Sequence, residues 1–485
     1  MKAAEKIGLV DRTLRNLRHA WSDIAQAMSG AWSGAPDPSL PEEDAVLLRE
    51  QMRVCLEGRG GEVSARARAA ALGRSYLALN SEGRRRFLAI LAKDFDIDHA
   101  AVDRAVRALP QGGGVTAARR KAERALRTAL DAPRIRLLRQ FNELPDGVKF
   151  LVELRVQLLR STDGDPALEA LEADLKALLA AWFDIGFLEL RRIGWDSPAA
   201  LLEKLMAYEA VHEIEGWSDL KDRLDSDRRC FAYFHPRMPD EPLIFVEVAL
   251  HHGLAENIQR LLDPAAPVQN PQTADTAIFY SISNAQRGLV GISFGGFLIK
   301  RVVDELAAEF HNLKDFATLS PMPGFRPWLE EQLKTAEATL FLPAERKALA
   351  AFPSGAGDAG TFATLLSLPG WYETPPLAKA LRGPLTRLAA RYLAEERRES
   401  GRARDPVAHF HLSNGARIEQ IDWLADRSEK GLAQAYGMMV NYSYRQSEIE
   451  ANHEAYTGEG KVAAAAAVKA LLRSQAAADR PKGRY

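Results

Sequence analysis

Ile278-Phe279-Tyr280-Ser281-Ile282 is followed by Gln286-Arg287-Gly288-Leu289-Val290-Gly291 and by Gly295-Gly296-Phe297-Leu298-Ile299-Lys300-Arg301-Val302-Val303-Asp304-Glu305-Leu306. The stretch reads as strand, glycine-bearing turn and helix. The first run is β-branched and aromatic, which favours an extended chain. Free backbone N–H groups converge where such a turn enters a helix, so the segment could seat an anion. A second apolar run, Phe316-Ala317-Thr318-Leu319, leads into Ser320-Pro321-Met322-Pro323-Gly324-Phe325. Two prolines stiffen that loop. Together the two features point to a ligand carrying phosphate beside a reactive serine, and to no particular reaction. An ordinary turn and an ordinary serine before proline are the plain alternatives.

Known signatures narrow the reading. A nucleotide P-loop needs Lys followed by Ser or Thr directly after its glycines, and Lys300 lies inside the helix instead. No full Gly-x-Gly-x-x-Gly stands at the strand end, which argues against a dinucleotide fold. No Gly-x-Ser-x-Gly elbow surrounds Ser320, so a standard α/β-hydrolase is a poor fit.

Working outward, further strands are expected at 230–234, 242–250, 277–282 and 316–319, with more at 406–412 and 416–421. Helices fall between them at 328–338 and 377–398, the second broken or kinked at Pro384. That alternation predicts an α/β or α+β domain with a mixed sheet over 168–485. Residues 1–167 read as an all-helical domain for packing or oligomerisation, closed by the linker Ser161-Thr162-Asp163-Gly164-Asp165-Pro166. Its one strongly basic helix, with Arg119, Arg120, Lys121 and Arg124, is best read as a solvated face. The alternative is an attraction surface for a polyanion or a partner domain.

The chain has 485 residues, room for roughly two to four domains. With 64 basic and 65 acidic side chains, the balance argues against nucleic acid as partner. Two cysteines, Cys55 and Cys230, make no disulfide scaffold and suit a reducing compartment. No Cys/His spacing suits a metal, so none is expected. No apolar run approaches the roughly 20 residues of a membrane span. The start has no secretory pattern and the end no peroxisomal address, which leaves the cytoplasm as the expected location.

Other residues carry chemistry. On a strand, His409 and His411 would share one face, as proton donors or acceptors near neutrality or as hydrogen-bonded structural histidines. Asn441, Tyr442 and Tyr444 offer donors to a polar pocket, or edge the core. Asp422 and Asp426 could orient a base or cap a helix. Glu247 is a lone acid in an apolar strand and needs a partner if buried.

These residues carry a resemblance. Phe279–Ser283, Gln286–Gly291, Phe297–Val303, Leu319–Phe325 and Asp405–Leu412 resemble, in order, the malonyl-CoA decarboxylase family. Asn414-Gly415-Ala416, Asn441-Tyr442 and Glu209-Ala210-Val211-His212 fit too. The likeness covers most of the chain and is strongest from Trp195 to Tyr444. It implies a helical N-terminal domain followed by an acyl-CoA-binding catalytic domain similar to the GNAT N-acetyltransferase fold. The strand, turn and helix would then be the acyl-CoA signature. Ser281, Gln286, Arg287, Gly288, Leu289, Val290, Gly291, Gly295 and Gly296 would contact CoA, with the pyrophosphate near Gly288 to Gly296. The family's catalytic serine and histidine fall on Ser320 and His411, and its tyrosine on Tyr444 or, failing that, Tyr442. His409, Asn441 and Glu247 would be supporting residues.

By the same resemblance the chain converts malonyl-CoA to acetyl-CoA and CO2. CoA belongs to the substrate and no other cofactor is implied. A homo-oligomer is implied, a tetramer among the sizes allowed. Animal relatives can end in a peroxisomal address, and this sequence departs from that. Two other classes stay open: an acyltransferase using a base such as Glu247, and a non-catalytic acyl-CoA sensor.

Overall fold

Ala-, Leu- and Arg-rich sequence with well-placed caps gives the first half of the chain its helices. Asn80, Thr116 and Asp165 each accept a hydrogen bond from a backbone N–H of the first turn that follows. In the computed structural model, residues 16–25, 36–57, 61–112, 114–162, 164–183, 185–292, 298–352 and 362–478 are described. The helices Glu42–Glu57, Glu62–Ala78, Ser81–Lys93, Pro133–Phe141, Gly147–Leu159 and Pro166–Trp182 close around Trp21, Tyr76, Phe87, Phe141 and Phe150. Gly73 lets Trp21 in: a Cβ there would stand 2.2 Å from the indole ring. Position 167 falls in the first turn of the helix Pro166–Trp182, which packs on Ser81–Lys93 and Gly147–Leu159. The basic helix Ala117–Ala129 buries no residue, and Arg120, Lys121 and Arg124 are exposed.

The second half is a mixed sheet. Its strands are β1 (Glu189–Ile193), β2 (Arg228–Phe234), β3 (Ile244–His251), β4 (Thr276–Asn284), β5 (Asp315–Thr318), β6 (Ser320–Pro321), β7 (Arg417–Asp422) and β8 (Met439–Ser443). They run in the order β1-β2-β3-β4-β5-β8-β6, with β7 on β8. Among the described strands, only β4 and β5 pair in parallel. A parallel pair needs a crossover, and the helix Leu298–Glu309 supplies it. One sheet face lies in the main core with that helix and with Phe325–Leu340 and Pro375–Ala394; the reverse face holds two smaller clusters.

The parallel pairing stops early. It joins Thr276–Phe279 to Asp315–Thr318, and the Leu319 N–H donates to the Phe279 carbonyl. Beyond that point β4 continues to Asn284, whereas Ser320 and Pro321 pair with Val440 and Met439 of β8. A bulge opposite Glu247/Val248 leaves Tyr280 without a cross-strand match. Ser320 therefore sits where two neighbouring strands fork.

Two expectations are corrected. Residues 406–412 form no strand; they lie in the helix Pro406–Ser413. The Asp405-Pro406 pair decides it, with proline in the first turn and the Asp405 carboxylate accepting from the N–H groups of Val407 and Ala408. The helix Pro375–Ala394 runs through Pro384 without a break. Strands β1 and β8 were not expected at all, and Ser320–Pro321, expected as the start of a stiff loop, forms the short strand β6 on β8.

Candidate active site

Five side chains meet at the fork. Thr318 and Ser320 stand two apart on a locally extended chain, so both face the main core. Ser320 donates to Thr318 Oγ1 at 2.8 Å. Ser320 Oγ also lies 3.0 Å from His411 Nε2, which the helix Pro406–Ser413 brings in through its last turn. On the far side of the ring, His411 Nδ1 is 2.8 Å from the Tyr444 hydroxyl. Tyr442 stacks on the imidazole at 4.5 Å between centroids. Its backbone N–H donates to Thr318 Oγ1 at 3.1 Å. None of Thr318, Ser320, His411, Tyr442 or Tyr444 is more than 5% exposed.

Burial sets the electrostatics. It pushes His411 down to about 3, so the imidazole is neutral in use. It pushes the Tyr442 and Tyr444 hydroxyls well above the ordinary range. The chain Tyr444–His411–Ser320–Thr318 is consequently uncharged, a set of donors and acceptors rather than ions.

The other expected residues lie elsewhere. His409 and His411 are about 200° apart on a helix, so they diverge. His409 Nδ1 meets the Tyr456 hydroxyl at 2.9 Å. Asn441 lies on the reverse face, where its amide donates to the carbonyls of Thr318 at 2.7 Å and Ala255 at 3.0 Å. It holds the backbone of Thr318 from behind. Glu247 is also on the reverse face, its carboxylate 3.3 Å from Arg223. Burial, reinforced by the neighbouring Glu209 and opposed by Arg223, pushes Glu247 up to about 8. Asp422 is buried and likewise pushed up to about 8, and Asp426 accepts from Gln259 and the Ser428 N–H.

The glycine turn forms a second cluster. Arg287–Leu289 is a short 3-10 turn. Arg155 donates to the carbonyls of Gly288 at 2.6 Å and Val290 at 2.9 Å, and its guanidinium pairs with Glu172. Lys149 donates to the side chain of Gln286 at 2.8 Å and pairs with Glu153 and Glu241. Burial alone would lower Lys149, but Glu153 and Glu241 hold it above its ordinary value. A Cβ on Gly288 would come 2.0 Å from the Val152 carbonyl. The side chains of Ser281 and Gln286 are engaged: Ser281 donates to Glu209 at 2.7 Å, and Gln286 donates to the Pro242 carbonyl at 2.9 Å. Arg287 and Val290 are exposed, Leu289 is buried, and Gly291 takes a positive φ of 76°. Gly295 and Gly296 lie outside the described residues.

Sequence reasoning missed Thr318, Lys149 and Arg155. Thr318 had a signal, since it stands two before Ser320 after a strand-like run. Among the described residues no group of three or more His, Cys, Asp or Glu could hold a metal ion. No helix among them is long and apolar enough to cross a membrane.

Comparison with known proteins bears on the whole chain. The model of the malonyl-CoA decarboxylase C-terminal domain matches residues 186–482, and that of the N-terminal domain matches 95–183. Mitochondrial malonyl-CoA decarboxylase of Rattus norvegicus is 37% identical over 472 residues, 92% of each chain. The Anser anser anser enzyme is 38% identical over 431 residues, 84% of each chain. The crystal structure of malonyl-CoA decarboxylase from Rhodopseudomonas palustris aligns with a TM-score of 0.79 at 41% identity, covering 88% of this chain and 99% of that one. That from Agrobacterium vitis gives 0.78 at 42%, covering 87% and 99%.

Proposed function

This chain belongs to the malonyl-CoA decarboxylase family, and on that premise we propose that Ser320 and His411 stabilise an enolate as malonyl-CoA loses CO2. The chain is a carboxy-lyase that converts malonyl-CoA to acetyl-CoA. Breaking the bond between the α-carbon and the carboxylate leaves an electron pair on the α-carbon. That pair delocalises onto the thioester oxygen. The α-carbon then takes one proton, giving acetyl-CoA. A catalyst for this step must donate hydrogen bonds to the oxygen as its charge grows. One well-aimed donor contributes on the order of 3 kcal/mol, about a hundredfold in rate.

The observation that carries the reading is the hydrogen bond between Ser320 Oγ and His411 Nε2 inside an uncharged, buried chain at the strand fork. A neutral imidazole can donate to a developing oxyanion and supply or relay the proton to carbon. Tyr444, bonded to the other ring nitrogen, orients the ring. The malonyl end would lie at the fork. The pantetheine arm would lie along the edge of β4, and the pyrophosphate at the turn Arg287–Gly291. The thioester is already an adequate electron sink, so no further cofactor is needed. An acyltransferase would want a base at the site, and Glu247 is on the reverse face.

The test is purified protein with carboxyl-labelled malonyl-CoA, a chelator and no amine. Labelled CO2 appearing in step with acetyl-CoA is expected. Intact malonyl-CoA in the presence of tight binding would turn the reading to a sensor. A cytoplasmic location and a homo-oligomer are proposed alongside. The rat and goose relatives are named mitochondrial, so cell fractionation decides the first and sedimentation the second.

A further inference from the structure

Thr318 is fully buried. Three separate groups fasten it. Its carbonyl accepts from the Asn441 amide at 2.7 Å. Its hydroxyl oxygen accepts from the Tyr442 N–H at 3.1 Å and from the Ser320 hydroxyl at 2.8 Å. The Ser320 hydroxyl is placed to donate to Thr318 and not the reverse, so with the Tyr442 N–H it fills both lone pairs of the Thr318 oxygen, whose own proton turns away from Ser320. The consequence runs along the chain. Ser320 has one proton, and it points to Thr318. Ser320 Oγ must then accept from His411, so the proton of the neutral imidazole sits on Nε2. The bare Nδ1 in turn accepts from the Tyr444 hydroxyl at 2.8 Å. Reversing any one of the bonds Ser320–Thr318, His411–Ser320 and Tyr444–His411 would require reversing the other two.

We infer that Thr318 is a positioning residue that sets the direction of the whole relay, so that in the resting protein His411 is a donor toward Ser320 and not a base that activates it. This assignment rests on the decarboxylase reading of the site and sharpens it. In a serine hydrolase the imidazole accepts the serine proton and raises its nucleophilicity. Here the polarity runs the opposite way, which suits donation to an enolate oxygen and makes acylation of Ser320 an unfavoured route. Nothing in the sequence near Ser320 states this direction; it comes from the placement of the Ser320 hydroxyl on Thr318, which the Tyr442 N–H of β8 also bonds.

The experiment reads the tautomer in the full chain without substrate, by nitrogen NMR of protein labelled in histidine. The His411 signal is identified by its loss in His411→Gln. The expected result is a proton on Nε2 in the native protein and on Nδ1 in Thr318→Val, where Ser320 has lost its acceptor and turns toward the ring. Thr318→Ser keeps the acceptor and restores Nε2. Kinetically, kcat of Thr318→Val falls roughly 10- to 100-fold with KM within about threefold, and Thr318→Ser recovers most of it. A native imidazole protonated on Nδ1 overturns the inference, even if Thr318→Val does not fold. So does a Thr318→Val imidazole unchanged from the native one. Because the tautomer is read without turnover, a protein that released no CO2 would sink the decarboxylase reading and leave this measurement to stand separately.

Discussion

Two buried polar regions lie either side of β4, and they are built on opposite principles. Beneath the glycine turn, Lys149 and Arg155 are paired with Glu153, Glu172 and Glu241, a set of full charges under 21% exposed at every member. At the fork, Thr318, Ser320, His411 and Tyr444 carry no charge. Removing one partner of a buried ion pair strands the other, at about 3–5 kcal/mol. A neutral hydrogen bond contributes only about 1 kcal/mol net to folding. The first region thus fixes a shape at high stake. The second contributes little to stability, and on the proposed mechanism its worth appears when charge develops beside it. Where a protein needs a rigid seat it can use ions; where it must answer a charge that exists only in passing, dipoles that need no counter-ion serve better.

Mutations can break that contrast. Ser320→Ala or His411→Ala should lower turnover on the order of 10³-fold while the melting temperature stays within about 2 °C. Near-full turnover in either variant would remove the assignment. Arg155→Met should do the reverse. It leaves Glu172 and two turn carbonyls without their partner, costing about 3 kcal/mol in denaturant unfolding and raising KM about tenfold with kcat nearly unchanged. An unaltered KM would detach the turn from substrate binding.

The pH dependence sharpens the comparison further. Because burial pushes His411 down to about 3, kcat should lack a limb near 6.5 that His411→Ala abolishes. For stability, the unfolded chain binds a proton on this imidazole below about 6.5 while the folded one does not. Stability is therefore lost as pH falls from there toward 3, and calorimetry across that range reads it. Asp422 has the opposite sign: burial raises it to about 8. Its stability is greatest below the ordinary carboxylate range and is lost as pH rises through about 8. Asp422→Asn should gain on the order of 2 °C in Tm at alkaline pH and nothing in acid, the smallest effect here.

The apolar strands were legible because each is a short β-rich run: β2 (Arg228–Phe234), β3 (Ile244–His251) and β4 (Thr276–Asn284) lie within a few residues of expectation. β8 was not. Its Val440 and Tyr442 alternate with Asn441 and Ser443, but both sets are buried, so polarity does not mark the faces. The Ser320–His411 pairing came through family resemblance; the His-Phe-His alternation had suggested a strand with both rings on one side. The clamp under the turn was invisible for a different reason. Arg155 meets Gly288 across 133 residues, and nothing local in either segment marks a partner.

The close approach of Gly288 to Val152 carries one more consequence. The floor of the glycine turn belongs to the helix Gly147–Leu159, whose Lys149 and Arg155 also clamp it. Residues 185–478 made alone would lack that floor, and if CoA sits at the turn as proposed, a repacked helix would be felt as a changed affinity. On the proposed seating of CoA, selection for substrate binding reaches into the helical region, where a methyl group too many bears on metabolism as well as on packing.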